Sequence, residues 1–387
     1  MNTNKLVRML YVVGALLLGF GMVYGLSRAG TEAKGPVETM LSEASDMVND
    51  LEANMILSKR KEKRADLLQW LQAYKSNPQK LLSADKIFFG AYDNNAVTNF
   101  RPIINLEDTL HTTLPVIHIY TAWGNKKIAA FPKEKVQSIV QLGSIPAITW
   151  EPWLSAFDEK LMPGLRPANE RDKNGLKDIA NGLYDDYIRQ WATQAKQIKS
   201  PIILRWAHEM NDPYRYPWGP QNNDSNDFKA AYTHVHSIFD DLKVKNVLWA
   251  WSPHPSYGHF KAYYPGDSLV DYVAVGTLNY GTVANWSKWW SFDDIFGKYY
   301  KDLSAFNKPI ILSEFGSLNV GGDRRKWFVD ALSTMPKKYP LINMVLFFHY
   351  DNDLTTTQQS LDWSFARDKN VVNVLRPAIN ALGEHGK

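Results

Sequence analysis

The chain has 387 residues, with 44 Lys and Arg against 40 Asp and Glu, a net charge of +4. That length suits one large domain or two ordinary ones, and so small and scattered an excess excludes the basic stripe of a nucleic-acid binder. There is no Cys, which excludes disulfides, thiolate nucleophiles, iron–sulfur clusters, cysteine zinc sites and a lipoprotein anchor.

Residues 9–27, MLYVVGALLLGFGMVYGLS, are uncharged and follow Lys5 and Arg8. At about 1.5 Å per residue such a helix nearly spans a hydrocarbon core of about 30 Å. The positive flank predicts a cytoplasmic N-terminus and export of everything after Arg28, to the periplasm or the cell exterior. Ser27-Arg28-Ala29 also fits a small-x-small cleavage site. The uninterrupted length favours an uncleaved anchor over 1–30, and with it contact with the membrane through 9–27.

Residues 31–80 read as a helical stalk or linker. Val37, Leu41, Ala44, Val48, Leu51 and Met55 alternate spacings of four and three, a short heptad seam. The charged run Lys59–Arg64 interrupts it and reads as a solvated face. Leu67, Leu68, Leu71 and Tyr74 open a second amphipathic helix that ends before Pro78. The segment is expected to pack on the following domain; a dimerising stalk or a docking helix for a membrane partner is the alternative.

Residues 81–387 form the main domain. Short apolar runs recur at Ile87–Ala91, Pro115–Thr121, Ile145–Trp150, Pro201–Trp206, Asn246–Trp251, Asp271–Thr277, Pro309–Ser313 and Met344–His349. They lack clean alternation, as strands buried on both faces of a parallel sheet do. Helical patterns lie between them, at Lys133–Leu142, Ile179–Lys199, Asp227–Leu242 and Arg324–Met335. The predicted fold class is α/β, a (β/α)8 TIM barrel. Gly90-Ala91-Tyr92 is not followed by G-x-G-x-x-G, so a dinucleotide fold is disfavoured.

Barrel enzymes place their chemistry at the C-terminal ends of the strands. Here those ends read Trp150-Glu151-Pro152-Trp153, His208-Glu209-Met210-Asn211, Trp251-Ser252-Pro253-His254, Leu278-Asn279-Tyr280-Gly281, Ser313-Glu314-Phe315-Gly316 and His349-Tyr350-Asp351. Glu209 and Glu314 are carboxylates at apolar strand ends amid Trp, His, Tyr and Arg. Such a pair suits glycosidic cleavage, one carboxylic acid protonating the leaving oxygen while the other attacks carbon or activates water. Flat indoles suit the C–H faces of a pyranose. Trp150, Trp153, Trp218, Trp251 and Trp363, with Glu151 and His254, are the expected substrate contacts, and Trp286, Trp289 and Trp290 fall in a long loop after the sixth strand. No metal or other cofactor is expected. His208-Glu209 lacks a second His four residues on, and His234 and His236 point to different faces of one predicted helix.

These residues carry a resemblance. Arg205-Trp206-Ala207-His208-Glu209-Met210-Asn211, followed by Trp218-Gly219, resembles the acid/base motif of glycoside hydrolase family 26. Ile311-Leu312-Ser313-Glu314-Phe315-Gly316 resembles its nucleophile motif, and Trp249-Ala250-Trp251-Ser252-Pro253 its strand-five segment. The similarity covers about 81–370. It implies a retaining barrel glycosidase of the β-mannanase, mixed-linkage β-glucanase or β-1,3-xylanase kind. Glu209 would be acid/base, Glu314 nucleophile, Arg205 and His208 transition-state supports, and Tyr280 the hydroxyl that holds the nucleophile. Mannanases of the family tend to carry His at the end of strand three, where this chain has Glu151. The expected function is hydrolysis of internal β-linkages in mannan or mixed-linkage glucan, beside the membrane, on an exopolysaccharide made by the same cell. An exopolysaccharide synthase or export complex is the partner that the tether suggests. A non-catalytic polysaccharide-binding scaffold of such a complex, or a transglycosylase, is the alternative.

Overall fold

The computed structural model describes residues 58–96, 99–162, 164–357 and 359–384. The candidate span 9–27 and the seam 37–55 lie outside them. Among the described residues no helix is long and apolar enough to cross a membrane.

Eight parallel strands close into a barrel in sequence order. They are β1 Phe88–Asp93, β2 Val116–Ala122, β3 Ile145–Glu151, β4 Ile202–Trp206, β5 Val247–Trp251, β6 Tyr272–Asn279, β7 Ile310–Ser317 and β8 Ile342–His349. Each coincides with one of the eight apolar runs; β1, β6 and β7 extend at least two residues further at their C-terminal ends. Alternation decides which core each residue joins. Phe88, Ile145, Ile203, Leu248, Tyr272, Ile311 and Met344 point inward and pack together. Phe89, Ile148, Leu204, Trp249, Val273, Leu312 and Val345 point outward, against the helices. Both faces are therefore apolar, which is why the runs show no polar alternation. Gly90 faces inward where a Cβ would stand 2.6 Å from the Val116 carbonyl oxygen, so no other residue fits that approach of β1 to β2.

Helices over Lys133–Gln141, Ser225–Asp241 and Arg324–Lys338 match the predicted ones. The stretch predicted as one helix from Ile179 to Lys199 is two, Gly175–Ala180 and Asp185–Lys196. The chain breaks between them at Gly182, whose φ of +87° is left-handed and beyond what a continuous helix allows. After β5 the helix is a single turn, Phe260–Tyr263.

Residues 58–82 close the bottom of the barrel. A helix over 58–67 is followed by short helical turns, and Leu68, Leu71 and Leu81 join the inward-facing cluster at the strand starts. Trp70 stacks on Phe88. The charged run is not wholly a solvated face, contrary to the sequence reading. Arg64 is buried, donates to the Leu142 carbonyl at 2.8 Å and to Ser144 Oγ at 2.6 Å, and pairs with buried Glu107. Arg60 pairs at the surface with Asp108. With the bottom filled, the barrel interior is open to ligands at the C-terminal ends of the strands.

Candidate active site

The two glutamates reach the mouth by different backbone devices. Beyond β4, Ala207 and Glu209 both adopt left-handed conformations, φ +46° and +54°. For residues other than Gly each costs about 1–3 kcal/mol. The turn is held by the Glu209 N–H donating to the Ser252 carbonyl at 2.6 Å and the Ala207 N–H to that of Trp150 at 3.1 Å. On β7 a bulge does the work. Val275 pairs with Leu312, then Gly276 with Glu314, so Ser313 is skipped. The bulge breaks alternation, and Ser313 and Glu314 both face inward, each accepting from the Arg205 guanidinium. A Cβ on Gly276 would lie 3.5 Å from Glu209 Oε1 and 3.5 Å from Glu314 Oε2. Those oxygens are therefore no more than twice that distance apart, which excludes most of the ~6.5–9.5 Å range of inverting carboxylate pairs.

The surroundings set the pair to opposite protonation states. Burial alone would raise Glu314, but the Arg205 charge and hydrogen bonds from Arg205 and Tyr120, each at 2.7 Å, outweigh it and hold the carboxyl well below its usual range. Arg205 is fixed in turn by Thr149 at 2.8 Å, and Thr149 by His118 at 2.7 Å. Among the described residues Glu209 has no such donors. Its Oε2 is buried without a hydrogen-bond partner, and the nearest cation is Arg215 Nη1 at 3.8 Å. Burial pushes Glu209 up to about 7, Arg215 opposing and Glu314 adding to the rise. Below about pH 7 Glu209 holds a proton while Glu314 does not, the division of labour that an acid and a nucleophile require.

Behind Glu209, His208 is fully buried with Nε2 2.9 Å from the Tyr216 hydroxyl. Burial and the Arg205 charge keep it neutral. Tyr216 stacks on Trp218, whose indole N–H donates to the His208 carbonyl at 2.7 Å. His208 thus holds the turn rather than bonding Glu209. Glu151 and Trp153 are half-buried at the end of β3, the indole donating to Glu151 Oε2 at 3.1 Å. Glu151 Oε1 lies 4.0 Å from His208 Nε2. A cavity of about 360 Å³ beside both glutamates is lined by Arg215, His254, Tyr280, Trp286, Trp290 and Lys298 among others.

Several expected contacts do not reach this cavity. Trp150 and Trp251 are fully buried in the layer between strands and helices, Trp150 stacked on Trp191 at 4.2 Å and Trp251 against Tyr264 and Phe306. Alternation turns them outward, because Thr149, Glu151 and Ala250 take the inward positions. Trp218 is buried support. Trp363 is buried too, its indole N–H on Asp353 at 2.8 Å and its ring against Tyr280. Tyr280 lines the cavity, but its hydroxyl bonds Thr356 at 3.1 Å; the hydroxyl on Glu314 is that of Tyr120.

Tyr120, Thr149, His118, Ser313, Arg215 and Tyr216 were missed by sequence reasoning. A signal existed on β2, where polar His118 and Tyr120 alternate with Ile117 and Ile119. In a barrel that alternation places the polar pair inside. Nothing local marks Arg215. Glu209, Asp212 and His254 bring potential metal-ligand atoms within 4.8 Å of one another; the Arg215 guanidinium beside Glu209 opposes a cation there.

Two carboxylates of opposite protonation at the mouth of a (β/α)8 barrel define a site of the glycosidase class. The model of "Glycosyl hydrolase family 26" matches residues 170–362, which include both glutamates, and the chain belongs to that family. It is 29% identical over 277 residues to Endoglucanase H of Acetivibrio thermocellus, covering 69% of this chain and 28% of that one. It is 25% identical over 178 residues to a mannan endo-1,4-beta-mannosidase of Bacillus subtilis, covering 44% and 41%. The chain thus spans well under half of each of these relatives. A solved Bacillus subtilis mannanase shares the fold at a TM-score of 0.54 and 17% identity, over 80% of this chain and 89% of the other.

Proposed function

We propose that the protein is a retaining β-glycanase that hydrolyses internal linkages of a β-linked polysaccharide by double displacement. The observation that carries this reading is the pair Glu209 and Glu314 at the barrel mouth, one oxygen of each 3.5 Å from the point a Cβ on Gly276 would occupy, with the two groups set to opposite charge states. In the first step Glu314 attacks the anomeric carbon as Glu209 gives its proton to the leaving glycosidic oxygen, leaving a glycosyl ester on Glu314. In the second, Glu209 takes a proton from water, the water oxygen attacks the same carbon, and the Glu314 ester bond breaks. Arg205 and Tyr120 steady the charge that leaves and returns to Glu314.

A glucan backbone is favoured over mannan. The relative with the longest match among those compared above is named an endoglucanase, and Glu151 stands at the mouth as a carboxylate able to accept paired hydroxyl donors. The apolar span 9–27 is assigned as an uncleaved anchor that keeps the domain outside the cytoplasm, beside an exopolysaccharide synthase or export complex of the same cell. The test is incubation with mannan, mixed-linkage β-glucan and xylan, sizing the products and following the first-formed anomer by NMR. Retained β-configuration and mid-chain products on glucan are expected. Failure to cleave every polymer and every activated aryl glycoside overturns the reading.

A further inference from the structure

Arg215 is placed at a cost that cleavage of neutral glycans does not explain. Its guanidinium lines the cavity, 3.8 Å from Glu209 Oε2 and so beyond hydrogen-bond reach. Among the described residues its hydrogen bond is one long contact, Nη2 to Thr355 Oγ1 at 3.3 Å, which leaves most of its donors unspent there. A cation beside a general acid favours the ionised form and works against protonation of the leaving group. The same wall carries two more cations. Lys298 lines the cavity 5.4 Å from the Trp290 ring centre, and Lys288 lies 4.1 Å from it. Trp286 is 54% exposed nearby. The remaining acid on this wall, Asp294, accepts from the Ser291 hydroxyl and N–H and also feels the charges of Lys288 and Lys298, which it offsets only in part with its one negative charge. Aromatic faces for sugar rings thus stand beside ammonium and guanidinium groups that have room for an anion.

We propose that the cleft takes a β-glycan bearing carboxyl groups, with Arg215 receiving the carboxylate of a sugar at the cleaved linkage and Lys298 and Lys288 those of sugars beyond it. This rests on the glycanase reading and names its substrate class. A carboxylate on Arg215 makes charge-assisted, forked hydrogen bonds. It also cancels the field that opposes protonated Glu209, so the acidic substrate completes the acid that cleaves it.

The test uses one backbone in two charge states: mixed-linkage β-glucan, and the same polymer oxidised at C6 to the carboxylate. The full-length protein is expected to favour the oxidised polymer by about tenfold or more in kcat/KM, a preference that falls with added salt. Arg215→Gln and, separately, the more peripheral Lys298→Gln should each shrink the ratio between the two polymers. Equal rates on both polymers, or a ratio unmoved by either substitution, overturns the proposal. Calorimetric binding of the two polymers to Glu314→Gln separates the two readings. Tighter binding of the oxidised polymer with no cleavage by the unsubstituted protein would keep the anionic ligand and sink the glycanase. Cleavage with no preference in either assay would do the reverse.

Discussion

At the scale of single residues, the proposed acid, Glu209, and the proposed nucleophile, Glu314, are told apart by their surroundings, and that difference is measurable. Glu314→Ala should abolish turnover of every substrate. Glu209→Ala should spare aryl glycosides with good leaving groups far more than polymers, since those leave without a proton. Equal loss on both substrate types would reverse the assignment. Burial pushes Glu209 up to about 7, so kcat/KM on a polymer should fall on the alkaline side near that pH, and this limb should vanish for aryl glycosides in Glu209→Ala. The same group weakens the fold. Its folded pKa lies above the ordinary 4.5, so its contribution is fully favourable below that value and is lost as pH rises through about 7. Glu209→Gln should therefore be more stable than the unsubstituted protein at pH 8, by on the order of 1–3 kcal/mol, with the gap closing below pH 4.5; thermal melts at both pH values check it. Tyr120→Phe removes one of two donors to Glu314 and should lower kcat/KM about tenfold or more without altering the melt.

At the scale of elements, the barrel bottom and the β7 bulge are the features on which most else depends. Arg64 ties the helix over 58–67 to Glu107, Leu142 and Ser144. Arg64→Ala leaves a buried carboxylate unpaired and should cost about 3–5 kcal/mol in denaturant unfolding. Its kcat/KM at low temperature should stay unchanged, because the pair lies at the opposite end of the barrel from the mouth. The strands were legible as apolar runs, since burial on both faces is written locally in each. The directions of their side chains were not. Trp150 and Trp251 looked like cleft residues because they stand at strand ends, yet alternation turns them outward, while the skipped Ser313 turns Glu314 inward against the same rule. Register and bulges are properties of paired strands and leave little trace in one of them.

At the scale of the whole molecule, the proposal that residues 9–27 anchor the barrel to a membrane has a direct test. The full chain should sediment with membranes and resist extraction by high salt, and a variant lacking 1–30 should be soluble with the same kcat/KM; release of the full chain by salt alone would remove the anchor from the account. Glu209 and Glu314, the proposed acid and nucleophile, were readable because strand ends in a barrel are where charged groups inside an apolar run have a use, whereas a role for Arg205 came only with the family resemblance. Eight strands and their order were readable for the same local reason. Only the closed barrel decided that Tyr120, 194 positions from Glu314, donates to it, that Arg215 stands beside Glu209, and that Arg64 is buried rather than solvated. Those are contacts between distant segments, and a linear pattern of hydrophobic and polar residues carries the tendency of each segment but not the partner that folding brings to it.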